Sequence, residues 1–186
     1  MHTQMIRSIG KVKKASAYCN NQCGFLDDER LKYITEACDE VISGKLLDNF
    51  PLVVWQTGSG TQSNMNVNEV LGNRANELLT GHKGADRVHP NTHVNMCQSS
   101  NDVFPTAASL VLYRETGGLL DALATLEAAV RERMEALGPV VRIGRTCLQD
   151  AVPLTFGQSL SGYASLLERT RAQIAAFRKR SATGIL

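Results

Sequence analysis

The sequence predicts an all-α protein, and three observations carry that expectation. Apolar residues recur in steps of three and four through most of the 186 positions, the period of one helix face. Two of these stripes, within 112–137 and 160–177, are long enough to need partner helices. Only Phe50-Pro51-Leu52-Val53-Val54-Trp55 reads as extended, β-prone chain.

Each element follows from local chemistry. Ile6, Ile9 and Val12 open a first helix that runs to about Cys23, with Gly24 as its stop. Asp27 suits the cap of a second helix, whose apolar face is Leu31, Ile34, Cys38, Val41 and Ile42 and which Gly44 ends. Residues 45–63 read as a connector. A third helix is expected from about Asn64 to Leu79, then a polar loop to Asn101. The first long stripe is Leu112, Leu119, Leu123, Leu126, Val130, Met134 and Leu137. Gly117-Gly118 offers that helix a place to kink or loosen, and Glu127 and Arg131, four apart, are expected to pair on its exposed side. The second stripe is Leu160, Tyr163, Leu167, Thr170, Ile174 and Phe177.

Bulk properties exclude several classes. A net charge of +2 with interspersed signs argues against a nucleic-acid partner. Lys11, Lys13 and Lys14 form a small basic run, expected to be a solvated helix face. No apolar run approaches the roughly 18 residues of a membrane span, so no membrane partner is expected. The five cysteines (Cys19, Cys23, Cys38, Cys97, Cys147) show no zinc spacing and are expected to be small buried apolar residues instead of metal ligands. Their odd number, with no secretory pattern opening the chain, points to a reducing, cytoplasmic compartment.

Residues 89–105 read His-Pro-Asn-Thr-His-Val-Asn-Met-Cys-Gln-Ser-Ser-Asn-Asp-Val-Phe-Pro. So polar a stretch is expensive to bury unless every group finds a partner, so it faces water or holds a polar ligand. Two other segments repeat the theme: Gln56-Thr57-Gly58-Ser59-Gly60-Thr61-Gln62-Ser63-Asn64-Met65-Asn66, and Gly144-Arg145-Thr146-Cys147-Leu148-Gln149-Asp150-Ala151. Plain structural roles also fit them. Ser99 and Asn101 suit helix caps, Gly58-Ser59-Gly60 an ordinary turn, and His89 and His93 loop histidines. Pro90 between those histidines argues against a helical zinc pair.

Taken together and in order, the three segments resemble the signature regions of the class II fumarase and aspartase superfamily. Trp55-Gln56-Thr57-Gly58-Ser59-Gly60-Thr61 and Gln98-Ser99-Ser100-Asn101-Asp102 look more like fumarase than aspartase. The similarity extends from Ile6 to about Arg171. It implies a smaller helical N-terminal domain, residues 1–105, carrying the polar substrate loops. Residues 106–186 would then be the first, incomplete part of a central long-helix bundle, which assembles with partner subunits into a homotetramer.

The resemblance also implies a site. Positions matching Ser59, Thr61, Ser99, Ser100, Asn101 and Thr146 bind a dicarboxylate, and those matching His89, Asn91 and Thr92 form a second anion site. Thr146 and Cys147 stand at catalytic positions. The implied reaction is reversible addition of water to fumarate to give malate, with no metal or organic cofactor. Cys147 departs from the pattern, because fumarases carry histidine there. A thiol titrates at about 8.5 against about 6.5 for imidazole, so Cys147 is no direct substitute. Aspartases also lack that histidine, which keeps ammonia release open beside water release. A non-catalytic helical assembly piece is a third reading. Thr92 and Met96 depart too, where many fumarases carry an acid and a lysine. Members of the family continue well past residue 186, through the loop bearing the serine base. The chain is therefore expected to be a fragment, truncated at both ends and inactive alone.

Overall fold

The computed structural model describes residues 1–53, Trp55, 60–84 and 87–183. Its contacts divide the described chain into two compact units, Met1–Val111 and Leu112–Thr183. It is helical apart from one small antiparallel hairpin.

The first unit contains α1 (Thr3–Gln22), α2 (Asp28–Ser43), α3 (Thr61–Thr80), a π-type turn at Pro90–Val94 and the beginning of α4 (Ser100–Leu137). The expected stop signals are in place. Asp27 accepts the Arg30 N–H at 2.8 Å to cap α2, and Gly44, at φ 96°, closes it by donating to Glu40 and Val41 carbonyls. The apolar faces meet in one core: Ile6, Ile9 and Val12 of α1, Ile34, Cys38 and Val41 of α2, Val67 and Leu71 of α3, and Val103 and Ala107 of α4. α3 starts a turn earlier than expected because Gly60 precedes it at φ 73°. A Cβ at Gly60 would lie 2.3 Å from the Phe104 ring, so only glycine lets α3 begin against the first turns of α4. Among the described residues of 50–55, none pairs as a strand.

Two expectations fail in this unit. Lys13 is not on a solvated face: it is 0% exposed, while Lys11 is exposed and Lys14 pairs with Asp39 at 2.7 Å. The buried stripe of α1 includes Ile6, Ile9, Lys13, Ala17 and Asn20, so Lys13 continues the apolar face instead of leaving it. The cysteines are expected inside, yet Cys19, Cys23 and Cys97 are exposed, as is Cys147 of the second unit, and only Cys38 is buried. Cys19 falls on the outer side of the last turn of α1, and Cys23 is its C-cap.

The second unit contains the rest of α4, strands β1 (Val141–Thr146) and β2 (Gln149–Thr155), and α5 (Phe156–Ser181). The helix passes through Gly117 and Gly118 without a break. The hairpin is the element that the helical reading did not foresee. It pairs Val141 with Thr155 and Thr146 with Gln149, around a two-residue loop of Cys147 (φ 47°) and Leu148 (φ 61°). Two successive positive φ values match the twist of the flanking strands. Thr155 and Gln158 form a reciprocal capping box that starts α5 directly from β2. The Glu127–Arg131 pair forms at 3.0 Å, but on the shielded side, where Arg171 of α5 holds the other carboxylate oxygen, also at 3.0 Å. Arg131, with Arg171 adding, holds the Glu127 carboxyl below its usual range. Among the described residues of this unit only Glu127 and Ala164 are buried.

Candidate functional site

The site is built on one end of the first unit, where α3 and α4 begin. Asn76 of α3 fixes the approach to it. Its amide accepts the Val88 N–H at 2.8 Å and donates to the Val88 carbonyl at 2.9 Å. His89 follows and caps the π-type turn: its Nδ1 accepts the N–H groups of Asn91 and Thr92, each at 3.2 Å, with the Thr92 hydroxyl also at 3.2 Å. An acceptor Nδ1 leaves the proton of a neutral imidazole on Nε2. His93 is oriented the same way, its Nδ1 accepting the His89 N–H at 2.8 Å. Burial, with Arg30 adding, pushes the His93 pKa down. The three residues expected at a second anion site, His89, Asn91 and Thr92, are thus drawn into one exposed turn, with His89 Nδ1 engaged inside it.

The chain then reverses through Cys97, at φ 56°. The Asn95 amide donates to the Gln98 carbonyl at 3.0 Å, and the Gln98 amide donates to the carbonyls of Val94 (2.9 Å) and Met96 (3.2 Å). Asn20 of α1 also donates to Met96 O, at 3.0 Å. The turn hands over to α4 at Ser99, whose hydroxyl accepts the Asn101 N–H at 3.2 Å and whose carbonyl accepts from Asp102 and Val103. Ser99 therefore has the geometry of a helix cap. Ser99 and Asn101 are exposed and Ser100 is half-buried. Asn64, one turn into α3 from the exposed Thr61, donates to the Ser100 hydroxyl at 2.9 Å. Hydroxyls and amides thus cluster at the positive end of α4, donors that can hold an anion without a full charge.

Of the residues singled out in the sequence, the first unit brings Thr61, Ser99, Ser100 and Asn101 to neighbouring helix starts. Ser59 lies outside the described residues. Thr146 and Cys147 belong to the second unit, exposed at the hairpin loop, with Thr146 Oγ1 3.9 Å from the Cys147 sulfur. Four supporting residues were missed: Lys13, Asn64, Asn95 and Gln98. Lys13 donates to Asn95 Oδ1 at 2.7 Å and to Gln98 Oε1 at 3.0 Å. Burial brings its pKa down to about 7. The available signal was its place on the apolar stripe of α1.

The comparisons agree with the motifs. Fumarate hydratase class II 2 of Bradyrhizobium diazoefficiens is 52% identical over 176 residues, which cover 94% of this chain and 37% of that protein. Fumarate hydratase class II of Campylobacter jejuni is 50% identical over 174 residues, covering 92% and 38%. The crystal structure of class II fumarase from Schistosoma mansoni superposes with a TM-score of 0.87 at 44% identity, over 97% of this chain and 38% of that one. The chain thus spans less than two-fifths of the length of these relatives, with the helical fold of the class II fumarases. All residues from 1 to 186 fall within the match to the family described as Lyase, and the chain belongs to that family.

Proposed function

We propose that this chain is part of a class II fumarase-type lyase, whose reaction is the reversible hydration of fumarate to malate. The observation that carries the reading is the donor cluster at the start of α4, with Asn64 of α3 hydrogen-bonded to Ser100. Thr61, Ser99, Ser100 and Asn101, with Ser59 beside Gly60, hold a substrate carboxylate. Charge that develops there when a proton leaves the neighbouring carbon meets donors already in place. His89, Asn91 and Thr92 form a second anion site. In the assembled lyase Thr146 contributes to catalysis, and Cys147 takes the place of the family's histidine. The enzyme is a homo-oligomer, because the second unit leaves Leu112, Leu119, Leu126, Tyr163 and Leu166 exposed. Four exposed free cysteines suit a reducing cytoplasm. Among the described residues no helix is long and apolar enough to cross a membrane.

A second reading, ammonia release from aspartate, is favoured by one feature, the absence of histidine at Cys147. A chimera separates the two. This chain replaces its matching segment in the Campylobacter jejuni enzyme, and fumarate absorbance is followed. The assembled chimera is expected to hydrate fumarate slowly, and Cys147→His to speed it on the order of 100-fold, the scale of one general acid–base group. Ammonia release from aspartate would select the second reading. An assembled chimera that turns over neither substrate, with or without the histidine, would sink both.

A further inference from the structure

Among the described residues Lys13 is the largest fully buried side chain, and no ion pair includes it. Its ammonium has only donors to offer, so its neighbours must turn oxygens toward it. Asn95 does so at 2.7 Å and Gln98 at 3.0 Å. The orientation of Asn95 then dictates the next shell. Asn64 and Asn68 both present Nδ2 to that same Asn95 oxygen, each at 3.1 Å. This arrangement leaves Asn64 Oδ1 and Asn68 Oδ1 buried without a partner. Two orphaned amide oxygens are unfavourable, yet rotating either amide would set its oxygen against the Asn95 oxygen, which the Lys13 ammonium holds in place. The second hydrogen of the Asn64 amide reaches Ser100 Oγ at 2.9 Å. A hydroxyl that accepts there keeps its own hydrogen to donate elsewhere.

We infer that Lys13 is a positioning residue which, through Asn95 and Asn64, sets the Ser100 hydroxyl as a donor toward an anion at the start of α4. The use of that donor rests on the dicarboxylate reading; the chain of hydrogen bonds does not. Few titratable groups face Lys13. Cys38 of α2 is one, its thiol pushed up to about 12 by burial, and Asp39 and Lys14 act on it in turn. Lys13 donates to uncharged amide oxygens, those of Asn95 and Gln98. A change in the protonation of Lys13 therefore passes to the amides that it orients.

The test follows that coupling by nuclear magnetic resonance on the whole chain. The ε-carbon of Lys13, the side-chain amides of Asn95 and Asn64 and the backbone amide of Ser100 are titrated together. One shared midpoint is expected in the wild type, wherever it falls. In Lys13→Met the amides should stay flat while core amides such as that of Leu71 keep their positions. In Asn64→Leu, Lys13 should still titrate and Ser100 should no longer follow. Ser100 and Asn64 moving independently of Lys13 in the wild type would overturn the inference, and that measurement needs no variant to fold. Succinate is then added as probe. Its effect on the amides of residues 99–101 should weaken about tenfold in Lys13→Met, the loss of one charge-assisted hydrogen bond. If succinate moves no amide even in the wild type, the dicarboxylate reading fails, while the shared midpoint still decides the role of Lys13.

Discussion

The two units use similar helices and reach different ends. In the first, Ile6 and Ile9, Ile34 and Val41, Val67 and Leu71 close on one another until several are wholly shielded from water. In the second, long stretches of α4 and α5 are held by charged groups. Arg131 reaches Glu168 at 3.0 Å, and Arg178 donates to the Tyr113 carbonyl at 2.9 Å while covering its ring. Their apolar residues stay open, with Leu126 at 50% exposure and Tyr163 at 63%. Amphipathic periodicity says that a face must be covered; it does not say by what. The first unit finds the cover within the chain. The second has surface of the kind that associates.

The largest effect that would test this contrast is Leu71→Ala. Leu71 is 0% exposed, and its truncation should lower stability by about 2–5 kcal/mol in urea titration. The same change at Leu126 should cost no more than about 0.5 kcal/mol in a monomeric sample. Equal losses would break the comparison.

Next comes the pH dependence of the first unit. An unfolded Lys13 keeps its proton up to its usual 10.5, while burial makes the folded one release it near 7. Between those values the unfolded state binds more protons, so stability rises with pH, by up to about 1.4 kcal/mol per unit. Lys13→Met should remove that rise. Glu40 gives a slope of the same sign at the acid end. Arg74 holds it at about 2, so its contribution is complete above 4.5 and is lost as pH falls through about 2. Denaturation curves across pH, with and without Lys13, would show whether the slope belongs to this side chain.

Ser99→Ala removes a helix cap and should cost about 1 kcal/mol, read as a shift in the denaturation midpoint. An unchanged midpoint would mean that the hydroxyl serves ligand alone. The smallest effect lies in the second unit. Leu148 is 98% exposed at φ 61°, so Leu148→Gly should stabilise the hairpin by about 0.5 kcal/mol, seen as greater amide protection in β1 and β2.

Much of the fold was legible because its signals are local. Asp27 and Gly44 bracket α2 by chemistry that needs nothing distant. The starts of the polar segments were legible too, since Ser99 and Ser100 stand where a helix pattern begins. The hairpin was not. Its loop is Cys147-Leu148, where positive φ is usually announced by Asn-Gly, and Pro153 within β2 argues against a strand. Lys13 was hidden for another reason. A lysine beside two others reads as surface, and only the amides of Asn95 and Gln98, more than 80 positions away, show why it is buried.

α4 belongs to both units, and that has a kinetic consequence. Starting a helix from coil is rare, with a nucleation constant on the order of 10⁻³, whereas extending one adds a hydrogen bond for each residue fixed. Here the start lies in the first unit, where Ser99 caps the helix and Val103 and Ala107 anchor its opening turns in the core. Residues beyond Val111 then only lengthen a helix already begun. A stretch whose open side chains give it little means to nucleate alone is seeded from the unit that holds the buried core, and the seed is the same serine turn that presents the candidate site.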